Sequence, residues 1–236
     1  MTGGIPAARG GNRRGSEAVA RQARILRVAK RLFLRRGYAG TSLNDVVAQA
    51  GGSKATLRKY FKDKSGLFAA VIADVSTKFV ASAHLGELEG TPDEVLRTFG
   101  QVVLGFYLDD HSLAAYRGVV AEGHRSPEMA RSFHQQGHRL VQAALAGRLA
   151  LWHREGRVLS PVPMDDADRF LHLVRAGLYE QRLIGLRKAP TRQEISLRVA
   201  GAVRLFLHGV GRQRPAESLQ PAASRQRNQS CPEGNP

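Results

Sequence analysis

Ser53, Lys54, Ala55, Thr56, Arg58 and Lys59 form a run of cations set among small polar groups, and their types and spacing point to nucleic-acid chemistry. Lys and Arg grip phosphate oxygens, and Arg can also hold guanine O6 and N7 together. Small side chains let a helix approach base edges closely. Other chemistry-bearing residues reduce to structure. His134 and His138 stand four apart on one helix face, a spacing that could hold a metal, yet neither a cysteine nor an HExxH frame accompanies them. Solvated or core histidines are expected there, and no metal site. Asp165, Asp166 and Asp168 cluster at a helix start, where carboxylates act as caps and dipole partners. GGSKAT, from Gly51 to Thr56, resembles a phosphate loop but lacks the four-residue gap to a second glycine, so nucleotide binding is not expected. Cys231 is the single cysteine, which excludes an intrachain disulfide, a zinc knuckle or a redox pair. With no GxSxG element or metal-ligand set, catalysis has no candidate residues; a non-enzyme without a cofactor is expected.

The elements that must position the cations carry a distinctive charge pattern. The chain has 236 residues, 42% of them hydrophobic, enough for a real core and against wholesale disorder. A net charge of +16 points to a polyanionic partner, nucleic acid ahead of an anionic membrane. Residues 1–72 hold 15 Lys and Arg against Glu17, Asp45 and Asp63, whereas residues 73–236 hold 21 against 17 acids. A basic nucleic-acid module fused to a nearly neutral regulatory or assembly domain has this asymmetry. Arg13 and Arg14 are not followed by the apolar stretch that an export signal requires. The most apolar run, Val141 to Trp152, is broken by Arg148 and falls short of the ~20 residues that span a bilayer. No membrane span and a cytoplasmic location are expected.

Periodicity predicts an all-α protein of about nine helices, with disordered ends at 1–15 and 212–236. The first helix, over 16–36, buries Ile25, Ala29, Leu32 and Phe33 and stops at Gly37. Ser42 with Asp45 begins a capping box for a helix to Ala50. After Gly51 and Gly52, Ser53 caps a helix carrying Leu57, Tyr60 and Phe61, and a longer one starts at Lys64. Thr91 with Glu94 and Thr191 with Glu194 repeat the capping box, and Ser126 with Pro127 marks a plainer start. Further helices are predicted at about 92–109, 112–124, 127–155, 165–186 and 192–209.

Two short helices joined at a glycine turn and backed by an amphipathic helix make a helix-turn-helix, whose second helix enters the major groove. Amides behind Thr41 and Ser42 can hold a phosphate, while Ser53, Lys54, Ala55, Thr56, Arg58 and Lys59 project toward DNA. Gly37 to Phe68, GYAGTSLNDVVAQAGGSKATLRKYFKDKSGLF, resembles the DNA-binding signature of TetR-family transcriptional regulators. The resemblance rests on Gly37 and Tyr38, Thr41 and Ser42, Ala50 and Gly51, Ser53, Tyr60 and Phe61, and Lys64, and it implies that Tyr60 and Lys64 also belong to the DNA-binding surface. In two places the chain departs from that signature. Gly52 stands where valine is common, so valine there is expected to restore packing and stabilise; Arg58 stands where tyrosine is common, so that tyrosine's phosphate contact does not carry over.

The domains expected are a helix-turn-helix unit over 16–72 and a helical unit over 73–211, between the two disordered ends. The resemblance, which reaches AcrR-type members around Ala115 to Gly137 and Val203 to Val210, implies effector binding and dimerisation in the second unit. Phe99, Phe106, Tyr116, Phe133 and Phe170 are candidates to line an effector pocket, although core packing explains each equally. Phe170, Val174, Leu178, Val199, Val203 and Phe206 are candidates for a twofold four-helix dimer interface, because their helices are apolar on more than one face. The resulting expectation is a dimeric repressor that binds a pseudopalindromic double-stranded DNA operator and leaves it when a small-molecule effector binds. A sequence-nonspecific architectural nucleic-acid binder is the alternative.

Overall fold

The computed structural model describes residues 11–210, and side chains from 16 to 207. Residues 1–10 and 211–236, including Cys231, lie outside the described residues, so the disorder expected there is not addressed. Gly11–Gly15, expected to be disordered, instead open the first helix. The elements in order are α1 (Gly11–Arg36), α2 (Leu43–Ala50), α3 (Lys54–Phe61), α4 (Lys64–Ser82), α5 (Pro92–Leu108), α6 (Asp110–Glu122) and α7 (Pro127–Phe133). A π-helical turn (His134–His138), α8 (Arg139–Arg154), α9 (Pro163–Arg175), α10 (Leu178–Leu183) and α11 (Arg192–Val210) follow. The described residues contain no strand, as an all-α protein requires.

Among the described residues eleven α-helices replace the roughly nine expected, because two long predictions break. Over 127–155 the π turn inserts between α7 and α8, a local widening that leaves the apolar period nearly intact and so hides from a pattern search. Over 165–186 the helix ends at Arg175: Ala176 turns to an extended ψ of 130° and Gly177 takes φ +82°. Only glycine enters that left-handed region without strain.

Local chemistry sets the short N-terminal helices. Ser42 Oγ accepts from the Asp45 amide at 3.2 Å while the Asp45 carboxylate accepts from the Ser42 amide at 2.9 Å, completing a capping box. Ser53 Oγ accepts from the Thr56 amide at 3.1 Å and Asp63 Oδ1 from the Gly66 amide at 2.8 Å, starting α3 and α4. Gly66 must be glycine, because a Cβ there would lie 2.1 Å from the Phe61 carbonyl oxygen. Gly52 corrects an expectation. Its φ is +96° and nothing lies within 4 Å of where a Cβ would stand, so valine there would strain the backbone and gain no contact.

Two hydrophobic cores meet along α4. The N-terminal core gathers Ile25, Leu32 and Phe33 of α1, Val46 of α2, Leu57 and Phe61 of α3, and Leu67, Phe68 and Val71 of α4. It also takes in Met129 of α7, fully buried, so the C-terminal region supplies a side chain to the N-terminal unit. The larger core holds Phe79 and is built chiefly by α5, α8, α9 and α11 around Phe99, Leu149, Trp152, Phe170 and Phe206. At Gly100 a Cβ would lie 2.7 Å from Val199 Cγ1, so α5 and α11 approach at that glycine. Among the described residues α4, not the 141–152 run, is the helix long and apolar enough to cross a membrane. Its apolar side chains divide between the two cores.

The Asp165, Asp166 and Asp168 cluster does not cap α9, which has no side-chain cap bond. Asp166 is buried, accepting from Ser160 Oγ at 2.7 Å and Arg169 Nη1 at 2.6 Å, and so ties the loop before α9 to the helix.

Candidate DNA-binding surface and ligand cavity

Leu57 and Phe61 turn inward from α3 and pin it to the N-terminal core, which leaves Lys54, Ala55, Arg58 and Lys59 exposed on its outer side. Among the described residues these three cations form no ion pair or side-chain hydrogen bond. A polyanion would therefore displace only water and counterions. Ser53 and Thr56 are occupied with each other, their hydroxyls 3.0 Å apart.

Other residues placed on this surface by sequence have structural work. Thr41 is 2% exposed and its Oγ1 donates to the Gly37 carbonyl at 2.9 Å, so it fastens the turn between α1 and α2 and is not free to meet DNA. Ser42 is engaged through both its amide and hydroxyl by Asp45, which leaves the amides of Leu43 and Asn44 as the helix-end donors. Those hydrogen bonds, with the Arg36 charge nearby, hold the Asp45 carboxyl below its ordinary value. Tyr60 is half-buried and packs on the N-terminal core. Lys64 Nζ donates to the Ala39 carbonyl at 3.2 Å and stands 4.4 Å from the Tyr38 ring centroid, linking the start of α4 to the α1–α2 turn. Burial lowers the Lys64 ammonium from its ordinary value. Arg21, Arg24 and Arg27, which helical spacing sets off the buried face of α1, are exposed and add to the positive surface beyond the residues expected to meet DNA.

A cavity of about 550 Å³ opens between the two cores. Of the pocket candidates Phe106, Tyr116 and Phe133 line it, but Phe99 and Phe170 do not: both are sealed in the C-terminal core, at 1% and 0% exposure. Aromatic residues on a buried helix face look alike in sequence whether they meet a void or another side chain. The floor is the trio Phe33, Tyr38 and Phe68, whose rings lie 5.3–5.9 Å apart. These rings belong at once to the cavity and to the packing of the DNA-binding unit.

Another part of the lining is polar. His138 Nε2 and Asp168 Oδ1 are 2.8 Å apart, and His172 Nδ1 lies 3.4 Å from Asp168 Oδ2. Potential ligand atoms of these three residues all fall within 4.8 Å of one another, a donor set suited to a divalent transition metal. The expectation of no metal site weighed His134 with His138. The structure instead gathers His138 with Asp168 and His172, across two helices, a grouping reached only by packing. Burial lowers the His138 pKa despite the Asp168 bond, favouring the neutral ring. Burial acts to raise the Asp168 carboxyl, but the His138 bond and the nearby His172, His138 and Arg175 charges hold it below its ordinary value. Beside them, Arg175 lies over the rings of Tyr107 and Tyr179, its Cζ 5.2 and 5.5 Å from their centroids. Burial pushes the Tyr107 hydroxyl up to about 12, so at neutral pH it is a hydrogen-bond donor.

The expected dimer residues also need correction. Phe170, Val174, Val199 and Val203 are 0% exposed and Phe206 2%, all within the chain's own core, with Leu178 packed against it. The two-sided apolarity of α11 is real, but its outer stripe is Leu197, Gly201 and Leu205, with the two leucines 67% and 60% exposed.

A helix-turn-helix with a bare cationic second helix, seated on a helical domain that encloses a cavity, defines the class of DNA-binding transcriptional regulators. Residues 25–71 match the family described as bacterial regulatory proteins, tetR family, and residues 94–209 match the AefR-like transcriptional repressor C-terminal domain. The chain belongs to the TetR family. The HTH-type transcriptional regulator AcrR of Shigella flexneri is 35% identical over 89 residues, 34% of this chain and 39% of that protein's length. A TetR-family protein of Mesorhizobium loti superposes with TM-score 0.71 at 20% identity, covering 82% of this chain and 98% of that one, a likeness of fold. The flavonoid-responsive regulator FrrA superposes with TM-score 0.65 at 28% identity, covering 83% and 100%.

Proposed function

We propose that this regulator is a homodimeric repressor that binds a pseudopalindromic operator and is released by a small-molecule effector held in the cavity. The observation that carries this reading is the shared trio Phe33, Tyr38 and Phe68, at once cavity floor and DNA-unit core. A ligand on that floor presses on Tyr38, against which Lys64 holds the start of α4. An effector that binds more tightly when α4 is displaced shifts the population away from the spacing that two recognition helices need. Lys54, Arg58 and Lys59 contact DNA from α3, and the α11 stripe Leu197, Gly201 and Leu205 meets its twofold mate. FrrA is by name flavonoid-responsive, and the aromatic floor here suits an effector with an aromatic frame.

The test is fluorescence anisotropy of the protein against DNA flanking its own gene and against a shuffled duplex, at about 0.15 M salt where nonspecific attraction is partly screened. Preference for the flanking DNA by ~10³ or more supports a specific regulator. Equal weak binding there, and no enriched site in a selection from random DNA, would favour the architectural alternative. Light scattering at micromolar concentration checks the dimer; a monomer would overturn that part.

A further inference from the structure

Two groups on the polar wall of the cavity lack the partners that their neighbours have. The Tyr107 hydroxyl is buried with no hydrogen-bond partner, although burial without a partner is costly for a hydroxyl. The Arg175 guanidinium, half-buried at the end of α9, forms no hydrogen bond or ion pair among the described residues. Both line the cavity, and the guanidinium lies over the Tyr107 ring. The cavity's acidic groups are already engaged. Asp168 is held by His138 and His172, and Asp109 accepts from the amides of His111 and Ser112 at 2.9 and 3.3 Å. The wall therefore offers a guanidinium with no hydrogen-bond partner, near enough to Asp168 to act on its charge, and one unpartnered O–H donor beside it, in a cavity that aromatic rings also line.

We propose that the effector is an aromatic carboxylic acid, with its rings against Phe106, Tyr116 and the floor trio and its carboxylate bound by Arg175 and the Tyr107 hydroxyl. The inference rests on the cavity being the effector site. Two oxygens of one carboxylate satisfy a guanidinium and a phenol together, and a charged acceptor strengthens both bonds. Edge and face contacts among rings select an aromatic frame, and a space of about 550 Å³ is ample for one of two or three rings. Lys30, exposed on α1, also lines the cavity and is the rival cation.

The test is calorimetric titration of the full chain with benzoate, 2-naphthoate and biphenyl-4-carboxylate, each beside its neutral primary amide. At least one acid is expected to bind ~10-fold or more tightly than its amide, as a charge-assisted pair implies. Arg175→Met and Tyr107→Phe should each narrow that gap, the acid losing more affinity than the amide, and a melting temperature close to the parent's shows that the variants fold. The inference is overturned if no acid is preferred, if the preference survives Arg175→Met, or if Lys30→Met removes it instead. Release from operator DNA is read separately. Acids that bind through Arg175 without releasing DNA would overturn the repressor reading alone, and release by neutral aromatics alone would overturn this inference alone.

Discussion

Arginine is used in opposite ways in the two halves of the molecule. On the DNA-binding unit Arg21, Arg24, Arg27, Arg35 and Arg58 are exposed and have no partner among the described residues. In the C-terminal region arginines are largely consumed in holding helices and loops together. Arg148 donates to the carbonyls of Gly86 and Leu88, Arg117 to those of Arg182 and Leu183, and Arg198 to that of Leu173. Arg182 pairs with Asp110, and Arg169 with Asp166. The uneven charge of the sequence is thus also a difference in availability: cations near the N-terminus wait for a polyanion, and those beyond it are mostly structural. Arg131, Arg139, Arg154, Arg192 and Arg204 are unpaired among the described residues but exposed, whereas Arg175 is unpaired and half-buried, and that is why it draws attention in the cavity.

The sharpest way to break the comparison is to loosen the platform under the free cations. Leu57→Ala removes a side chain 1% exposed beneath α3 and should cost about 2–5 kcal/mol in denaturant unfolding. Binding at 25 °C should fall with it, unlike a loss confined to the outer face. On the other half, Gly100→Val forces a branched side chain toward Val199 and should cost about 1–3 kcal/mol or more, read as a lowered melting temperature. Should Gly100→Val leave stability unchanged, the close approach of α5 and α11 is wrong.

Arg58→Ala tests availability itself. Loss of about 1–3 kcal/mol at one base position identifies base readout, and a smaller uniform loss across sequences identifies a phosphate grip. Stability should not change. Gly52→Val should lower stability by about 1–2 kcal/mol through left-handed strain; a raised melting temperature would reinstate the packing expected from sequence.

The smallest effect concerns a carboxylate in the structural half. The Thr191 backbone bond, then Arg187 and the Thr191 hydroxyl, hold Glu194 down to about 2 from an ordinary 4.5. A depressed folded value means that its contribution is fully present above pH 4.5 and is lost as pH falls through about 2. Glu194→Gln should therefore be slightly less stable than the parent at pH 7, with the gap closing as pH falls toward about 2. A gap that widens in acid would contradict the cap.

What the sequence made legible follows the range of the forces involved. The boxes at Ser42, Thr91 and Thr191 are closed by residues three apart, so the helix starts at 43, 92 and 192 could be read directly. The free face of α3 was legible because its neighbours Leu57 and Phe61 mark the buried side. The π turn was not, since it leaves apolar spacing almost unchanged, and neither was the direction in which a two-sided helix faces. Phe99 and Phe170 were mistaken for cavity lining, and Val199 and Val203 for a dimer face, because burial by another helix of the same chain and burial by a ligand or partner select the same residues. Asp168 met His138 across 30 positions, and no local pattern encodes that meeting.

Met129 carries a practical consequence for anyone who builds chimeric regulators from such chains. Its side chain fills the DNA-binding core from a helix more than sixty positions downstream of the recognition helix. A cut after α4 that transplants the reader onto a different sensor leaves a methionine-sized hole unless the new sensor supplies a plug at the same spot. Swappable modules in this architecture are therefore interlocked parts, and the seam to preserve runs through α7 as well as α4.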